Sequence, residues 1–310
     1  MFDLEEINYR TVKDPKGFCE ECESEYYHKI DVATDKIAAN IKKSPIVLLA
    51  GPSGSGKTTT SIKLSESLEK KGIHMHYVSM DDYFTTVSDA TTPKTEDGSY
   101  DFESPLCLDI ELLNRHFDKL KAGEKILVPR YDFRKQARSV VPSKAIELKS
   151  NEAVVFEGIH ALNDMITGRH PDAFKLYVSA QSDVEFRDVI VFKRTWFRLV
   201  RRMVRDYNFR GASSEATMSM WANVRRGEKL YISPFKVKAD AKIDTSMECE
   251  IPVMNQTATK LFSQVPEGID RYDELKQVFP AIQLFGSIDN EFVANDSLLR
   301  EFIGGGIYDY

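Results

Sequence analysis

Cysteine is scarce in this chain: four residues, at positions 19, 22, 107 and 249, are too few and too scattered for a disulfide framework in 310 residues. Long apolar runs are missing too, none nearing the roughly 20 residues that cross a bilayer. The first ten residues are acidic, unlike the basic start of a secretory leader. These absences predict a cytoplasmic protein with no membrane partner. Basic charge is also short: a formal net charge of -6 and a pI near 5.7 exclude a protein that coats nucleic acid. Any basic patch must be local and suited to a small anion. A zinc centre has little to draw on, because Cys19 and Cys22, with His28 nearby, could hold half a site and no second C-x-x-C pair completes it. Internal repeats and low-complexity segments do not occur.

What is present is concentrated at one stretch. Gly51-Pro52-Ser53-Gly54-Ser55-Gly56-Lys57-Thr58 fits the pattern G-x-x-x-x-G-K-[ST]. The apolar, β-branched run at 46–50 before it predicts a buried parallel strand, and the helix formers from 58 to 71 predict a helix stopped by Gly72. Glycines let successive backbone N–H groups converge on one anion, and the helix N-terminus adds partial positive charge. Residues Gly51, Ser53, Gly54, Ser55, Gly56, Lys57, Thr58 and Thr59 are therefore the expected phosphate site. Lys57 would reach the β- and γ-phosphates, and Thr58 would offer its hydroxyl to Mg²⁺. The glycine spacing differs from the dinucleotide fingerprint.

The remaining chain is read relative to this loop. Residues 1–44 hold an irregular acidic segment and then a helix with Ile30, Ala33, Ile37 and Ile41 on one side. A second strand, 73–80, delivers Asp81 and Asp82 at its C-terminal end, where parallel α/β sheets bind ligands. Residues 87–100 are a surface loop, and a helix follows, marked by Leu106, Ile110, Leu113, Phe117 and Leu120. Extended segments at 126–133 and 145–148 predict a β-hairpin excursion beside the main sheet. Strand 153–156 ends in Glu157, and another strand is expected at 174–179. Arg198, Arg201, Arg202 and Arg205 share one helix face, expected to form an anion-facing lid, with a second helix from Ser213 or Ser214 to Val224. Short helices are expected at 257–265, 271–279 and 297–302. The length fits one α/β core with extensions as well as two domains. The division expected is 1–44 as an N-terminal extension, 45–250 as the core with a lid at about 181–230, and 251–310 packed on the core.

These residues allow phosphoryl transfer, which needs a positioned nucleotide, neutralised charge and an in-line hydroxyl. Asp81 could take the acceptor's proton, with Glu157 or Asp81 close enough to ligate Mg²⁺. Lys57 and an arginine face of Arg198, Arg201 and Arg205 would stabilise the transferring group. Asp81 could equally cap a turn and Glu157 pair with a lysine.

Taken in order, the loop, Ser79-Met80-Asp81-Asp82-Tyr83-Phe84, Tyr100-Asp101-Phe102-Glu103-Ser104-Pro105, Val128-Pro129-Arg130-Tyr131-Asp132-Phe133, Phe156-Glu157-Gly158-Ile159-His160 and Arg198-Leu199-Val200-Arg201-Arg202 resemble the uridine-cytidine kinase and phosphoribulokinase family of P-loop kinases. The resemblance spans 45 to about 253, and parts of 198–235 and 298–305 are similar to a bacterial uridine kinase-like branch. It implies an α/β P-loop NTPase three-layer fold with a parallel central sheet, a β-hairpin excursion and a helical lid. It also implies ATP and Mg²⁺ as cosubstrates and Asp81 as base. The implied acceptor pocket holds Phe84, Phe102, Glu103, Tyr131 and Phe133, with Glu103 on sugar hydroxyls and Arg138 contacting the acceptor. Tyr131 and Phe133 could instead be core. Gln136 stands where such kinases carry a base-reading histidine, Phe84 replaces a tyrosine, Ala212 replaces an arginine, residues 181–197 look inserted, and the N-terminal TGS-type domain common in that branch is lacking. The implied acceptor is a nucleoside, uridine or cytidine; another polyol, phosphosugar or pantothenate-like acceptor is the alternative, and an ATP-binding regulatory protein without turnover is a reading of another class. Homo-oligomer formation stays open.

Overall fold

The computed structural model describes residues 1–269 and 272–309. The acidic start expected to be irregular is helical: after β1 (Phe2–Asp3) come α1 (Leu4–Lys13) and α2 (Pro15–Asn40). Asp3 and Asp14 cap them, their carboxylates accepting from the Glu6 and Gly17 N–H groups, and Pro15 occupies the first helical turn, where its missing N–H costs nothing. The 3.6-residue apolar pattern of α2 includes Phe18, Cys19, Cys22 and Tyr26, all buried. Both cysteines are therefore core residues, and among the described residues no group of metal-ligating side chains forms a metal site.

The core begins with β2 (Ile46–Ala50), α3 (Lys57–Glu69) and β3 (His74–Ser79), followed by α4 (Ile110–Lys121). The excursion is an antiparallel pair, β4 (Ile126–Val128) with β7 (Lys144–Ile146), carrying at its tip the pair β5 (Tyr131–Asp132) and β6 (Ala137–Arg138). Next come β8 (Glu152–Glu157), the single turn α5 (Asp164–Thr167) and β9 (Phe174–Ser179). Residues 181–197, which look inserted, form β10 (Val184–Phe186) and β11 (Val189–Phe192), which join β1 in a small separate sheet. α6 (Arg194–Arg210) and α7 (Ser214–Gly227) follow, then β12 (Ala241–Asp244), α8 (Glu250–Phe262), α9 (Tyr272–Ile282) and the short α10 (Arg300–Ile303). The expected first residue of α9, Arg271, lies outside the described residues.

The central sheet has five parallel strands in the order β12-β9-β2-β8-β3. β2 is completely buried and sits in the middle, as its unbroken apolar run demands, so the loop that follows it opens at the centre of the sheet's C-terminal edge. Two apolar clusters cover the faces. The larger joins α2, α3, α6 and α8 to one face, and the smaller places α4 against Val154 and Phe156 on the other. α6 belongs to the larger cluster through Trp196, Leu199, Val200 and Met203, so the arginine helix is a core element that also forms a wall of the cleft above the sheet. Among the described residues no helix is long and apolar enough to cross a membrane.

Candidate active site

The loop between β2 and α3 has the geometry of an anion cradle. Gly54 and Gly56 adopt φ of +74° and +79°, which turns consecutive N–H groups inward. A Cβ on Gly51 would fall 2.0 Å from the Val178 carbonyl oxygen, so glycine is enforced there by the neighbouring strand. The buried Ser55 hydroxyl has no hydrogen-bond partner among the described residues. A buried, unpaired polar atom inside a ring of N–H donors suits a polyphosphate, and this donor set fits the phosphates of ATP.

Above the loop lies a cleft of about 700 Å³. Two acids enter it from the ends of adjacent strands. Glu157 closes β8, accepts a hydrogen bond of 2.9 Å from Tyr77 and sits 3.5 Å from the Lys57 ammonium. Asp81 follows β3 on a 3₁₀ turn capped by Ser79. It opens to solvent through the cleft mouth yet is walled by protein. That desolvation, and then the Glu157 charge, push its carboxyl up to about 6, against the opposing pull of Lys57. Asp82, its neighbour, turns away and accepts from the Tyr131 N–H, holding the excursion in place. Thr58, Asp81 and Glu157 line one stretch of wall, and this oxygen-rich set suits Mg²⁺, which favours carboxylates and phosphate oxygens.

Aromatic rings form the next wall. Phe84, Phe102 and Phe133 face the cleft, while Tyr131 lies behind them, 5.5 Å from Phe84 and 5.0 Å from Phe133 between ring centres. Glu103 faces the same space and packs against Gly227 of α7, where a Cβ would come within 2.4 Å of it. Burial pushes its carboxyl up to about 7, with Arg202 opposing.

Among the expected site residues, Thr59 is buried, does not line the cleft and gives its hydroxyl and N–H to Glu301, and four more are placed elsewhere, each for a physical reason. Gln136 occupies the tip of the β5–β6 turn at φ +49°, and its carbonyl accepts from Val87 N–H. Arg138 is engaged with the Asp109 carboxylate at 2.7 Å and with the Tyr83 and Phe84 carbonyls, so it braces the chain behind Phe84. Arg198 forms a bidentate pair with Glu228 at 2.8 and 3.0 Å and donates to the Ser53 carbonyl. Arg201, with no exposed side-chain surface, pairs with Glu250 at 2.5 and 2.8 Å and donates to Thr245 and the Gly54 carbonyl. Both arginines hold the phosphate loop from behind. Arg205 does line the cleft, as do Arg202, which donates to the Ser53 hydroxyl at 2.8 Å, and Arg210.

Sequence reasoning missed one wall altogether. Arg300, Glu301 and the Gly304-Gly305-Gly306 strip line the same cleft, and Glu301 accepts from the Thr59 hydroxyl at 2.6 Å. The helix-then-glycines pattern was visible, but nothing in it says which surface it meets.

A possible uridine kinase from Bacillus stearothermophilus is a solved structure similar to this chain, with TM-score 0.44 and 20% identity over 70% of this chain and 98% of that one. D-glycerate 3-kinase from Cryptococcus neoformans aligns with TM-score 0.45 and 14% identity, covering 65% of this chain and 88% of that one. The uridine kinase of Staphylococcus aureus (strain JH9) is 28% identical over 227 residues, which is 72% of this chain and 100% of the relative. The Phosphoribulokinase / Uridine kinase family matches residues 46–252, from the first residue of β2 into α8, and thus takes in the cradle, both strand-end acids and the arginine helix. The chain belongs to that family and is a small-molecule kinase.

Proposed function

We propose that the protein transfers the terminal phosphoryl group of ATP to a hydroxyl of a nucleoside, uridine or cytidine. The observation that carries this reading is the convergence of Asp81, Glu157 and Lys57 at one end of the cradle, with Phe84, Phe102, Phe133 and Glu103 forming a flat-walled, acid-rimmed pocket beside them. The loop N–H groups and Lys57 hold and orient the phosphates. Asp81 accepts the acceptor's hydroxyl proton as the new O–P bond forms and the bond to the ADP oxygen breaks. Its raised proton affinity suits that task near neutral pH. Arg202, Arg205 and Arg210 face the developing charge, and the aromatic walls exclude water and flank a planar base. Glu103 accepts from sugar hydroxyls. Thr58 and Glu157 would hold Mg²⁺, which would supply charge neutralisation at the phosphates and leave the Asp81 carboxylate to take the proton.

The test is ADP release from ATP with a panel of nucleosides, sugars and polyols. Turnover with uridine or cytidine is the expected result, and silence across all nucleosides removes the nucleoside reading. A second reading, a polyol or phosphosugar acceptor, draws on the positions of Gln136 and Arg138, neither of which lines the cleft. Turnover with one of those acceptors alone would select it. ATP binding without acceptor-dependent turnover would point to a regulatory protein.

A further inference from the structure

We infer that the C-terminal tail, residues 300–309, is the subsite for the nucleoside part of the phosphate donor, with Glu301 accepting from its ribose hydroxyls and the Gly304–Gly306 strip receiving its base. This rests on the proposed use of ATP. It concerns residues beyond the stretch that the family matches, which ends at 252.

The direction of the cleft carries the argument. Lys57, Glu157 and Asp81 mark one end, where the aromatic pocket also lies. From Lys57 the first turn of α3 leads to Thr59, and Thr59 leads directly to the tail: both its hydroxyl and, at 3.4 Å, its N–H donate to one oxygen of Glu301. A triphosphate reacting at the Asp81 end and lying along the loop carries its nucleoside out over this wall. Glu301 is buried and lines the cleft, and among the described residues no hydrogen bond reaches its other oxygen, Oε1. A fixed carboxylate oxygen facing open space is suited to a pair of vicinal hydroxyls.

The strip beyond it is built and stiff. The Arg300 guanidinium gathers the carbonyls of Asn290, Val293, Ala294 and Gly304, and Ile307 N–H bonds to the Asn295 carbonyl at 3.0 Å. Gly304 and Gly305 hold φ of +81° and +70°, and a Cβ on Gly306 would fall 2.7 Å from Arg300. Yet Gly305 and Gly306 are exposed, and neither N–H has a backbone partner among the described residues. Bare, rigid peptide planes with open donors allow close approach of a planar base and hydrogen bonds to its edge.

The experiment is equilibrium binding of ATP, dATP and inorganic tripolyphosphate to the full chain without acceptor. In the wild type, ATP should bind about tenfold more tightly than dATP, the effect of losing one hydrogen bond to a charged group. Tripolyphosphate should bind more weakly than either. E301Q keeps the Thr59 contact and should bring ATP and dATP to near equality with tripolyphosphate unchanged. Gly305→Val, with folding checked by thermal melting, should weaken ATP about tenfold or more and leave tripolyphosphate alone, a split that simple damage to the loop would not produce. Equal wild-type affinity for ATP and dATP would overturn the assignment while leaving the kinase reading intact. Tighter ATP binding in either variant would do the same, by making the tail a plug instead. If neither ATP nor tripolyphosphate binds, both readings fall.

Discussion

The two halves of α6 carry the same residue at the same helical spacing and use it in opposite ways. In the first half, Arg198 and Arg201 point into the fold and are neutralised by Glu228 and Glu250, carboxylates 30 and 49 residues away. In the second half, Arg202, Arg205 and Arg210 gather around Asp206 of the same helix and face the cleft. A shared Asp206 cannot balance three cations, so positive charge is left over for a ligand. The difference teaches that an arginine stripe can serve as an anion site only where the fold brings it no carboxylate from another element. Where it supplies one, the same side chain becomes a brace for the loop that an anion sits on.

The strongest way to break this comparison is R201M. It leaves the buried Glu250 with the Met247 N–H but no opposite charge and frees the Gly54 carbonyl, so the expected loss is about 3–5 kcal/mol of folding stability. Urea denaturation measures it, and an unchanged midpoint would put Arg201 outside the brace. Next in size is R205M, expected to lower phosphoryl transfer roughly 100-fold, the scale of removing one donor to a developing charge. Its loss of folding stability should be smaller than that of R201M, because Arg202 and Arg210 still flank the buried Asp206. A large stability loss with intact turnover would reverse the roles of the two halves.

The smallest effect sharpens the comparison by pH. Asp81 titrates at about 6 in the folded protein, above its ordinary 3.8, so transfer should fall as pH drops through 6 and the base takes up its proton. The folded state holds that proton more tightly than the unfolded chain does. Asp81 therefore favours folding most below about pH 4, and that contribution disappears as pH rises through 6. A rate profile in the wild type and Asp81→Asn checks the assignment, since the variant should be slow and lack the step near pH 6. A step that persists in Asp81→Asn belongs to another acid, and Glu103, raised to about 7, is the next to substitute.

Much of the cleft was readable along the chain. The cradle, Asp81 and Glu157 belong to short segments whose local pattern, a buried strand followed by a turn, aims its last residue at the sheet's C-terminal edge, whereas the aromatic set followed only from the family resemblance. The brace and the tail were not readable in this way. Arg138 and Arg205 look equally free in sequence, and only the approach of Asp109 to the first and the shared Asp206 beside the second separate them. The N-terminal segment erred in the other direction: its acidic residues suggested irregular chain, while α2 packs on α3 and β12, α1 packs on α2 and β10, and every acid of the two helices except Glu23 stays exposed.

By itself the sequence determined where the cradle proposed to hold an anion forms and which strands deliver carboxylates beside it, because those features are encoded in neighbouring residues and need only local geometry. The tertiary structure decided which arginines remain available and what else lines the cleft. Those depend on pairings such as Arg201 with Glu250 and Thr59 with Glu301, where the partners are set by packing across the sheet and no local pattern records the distance between them.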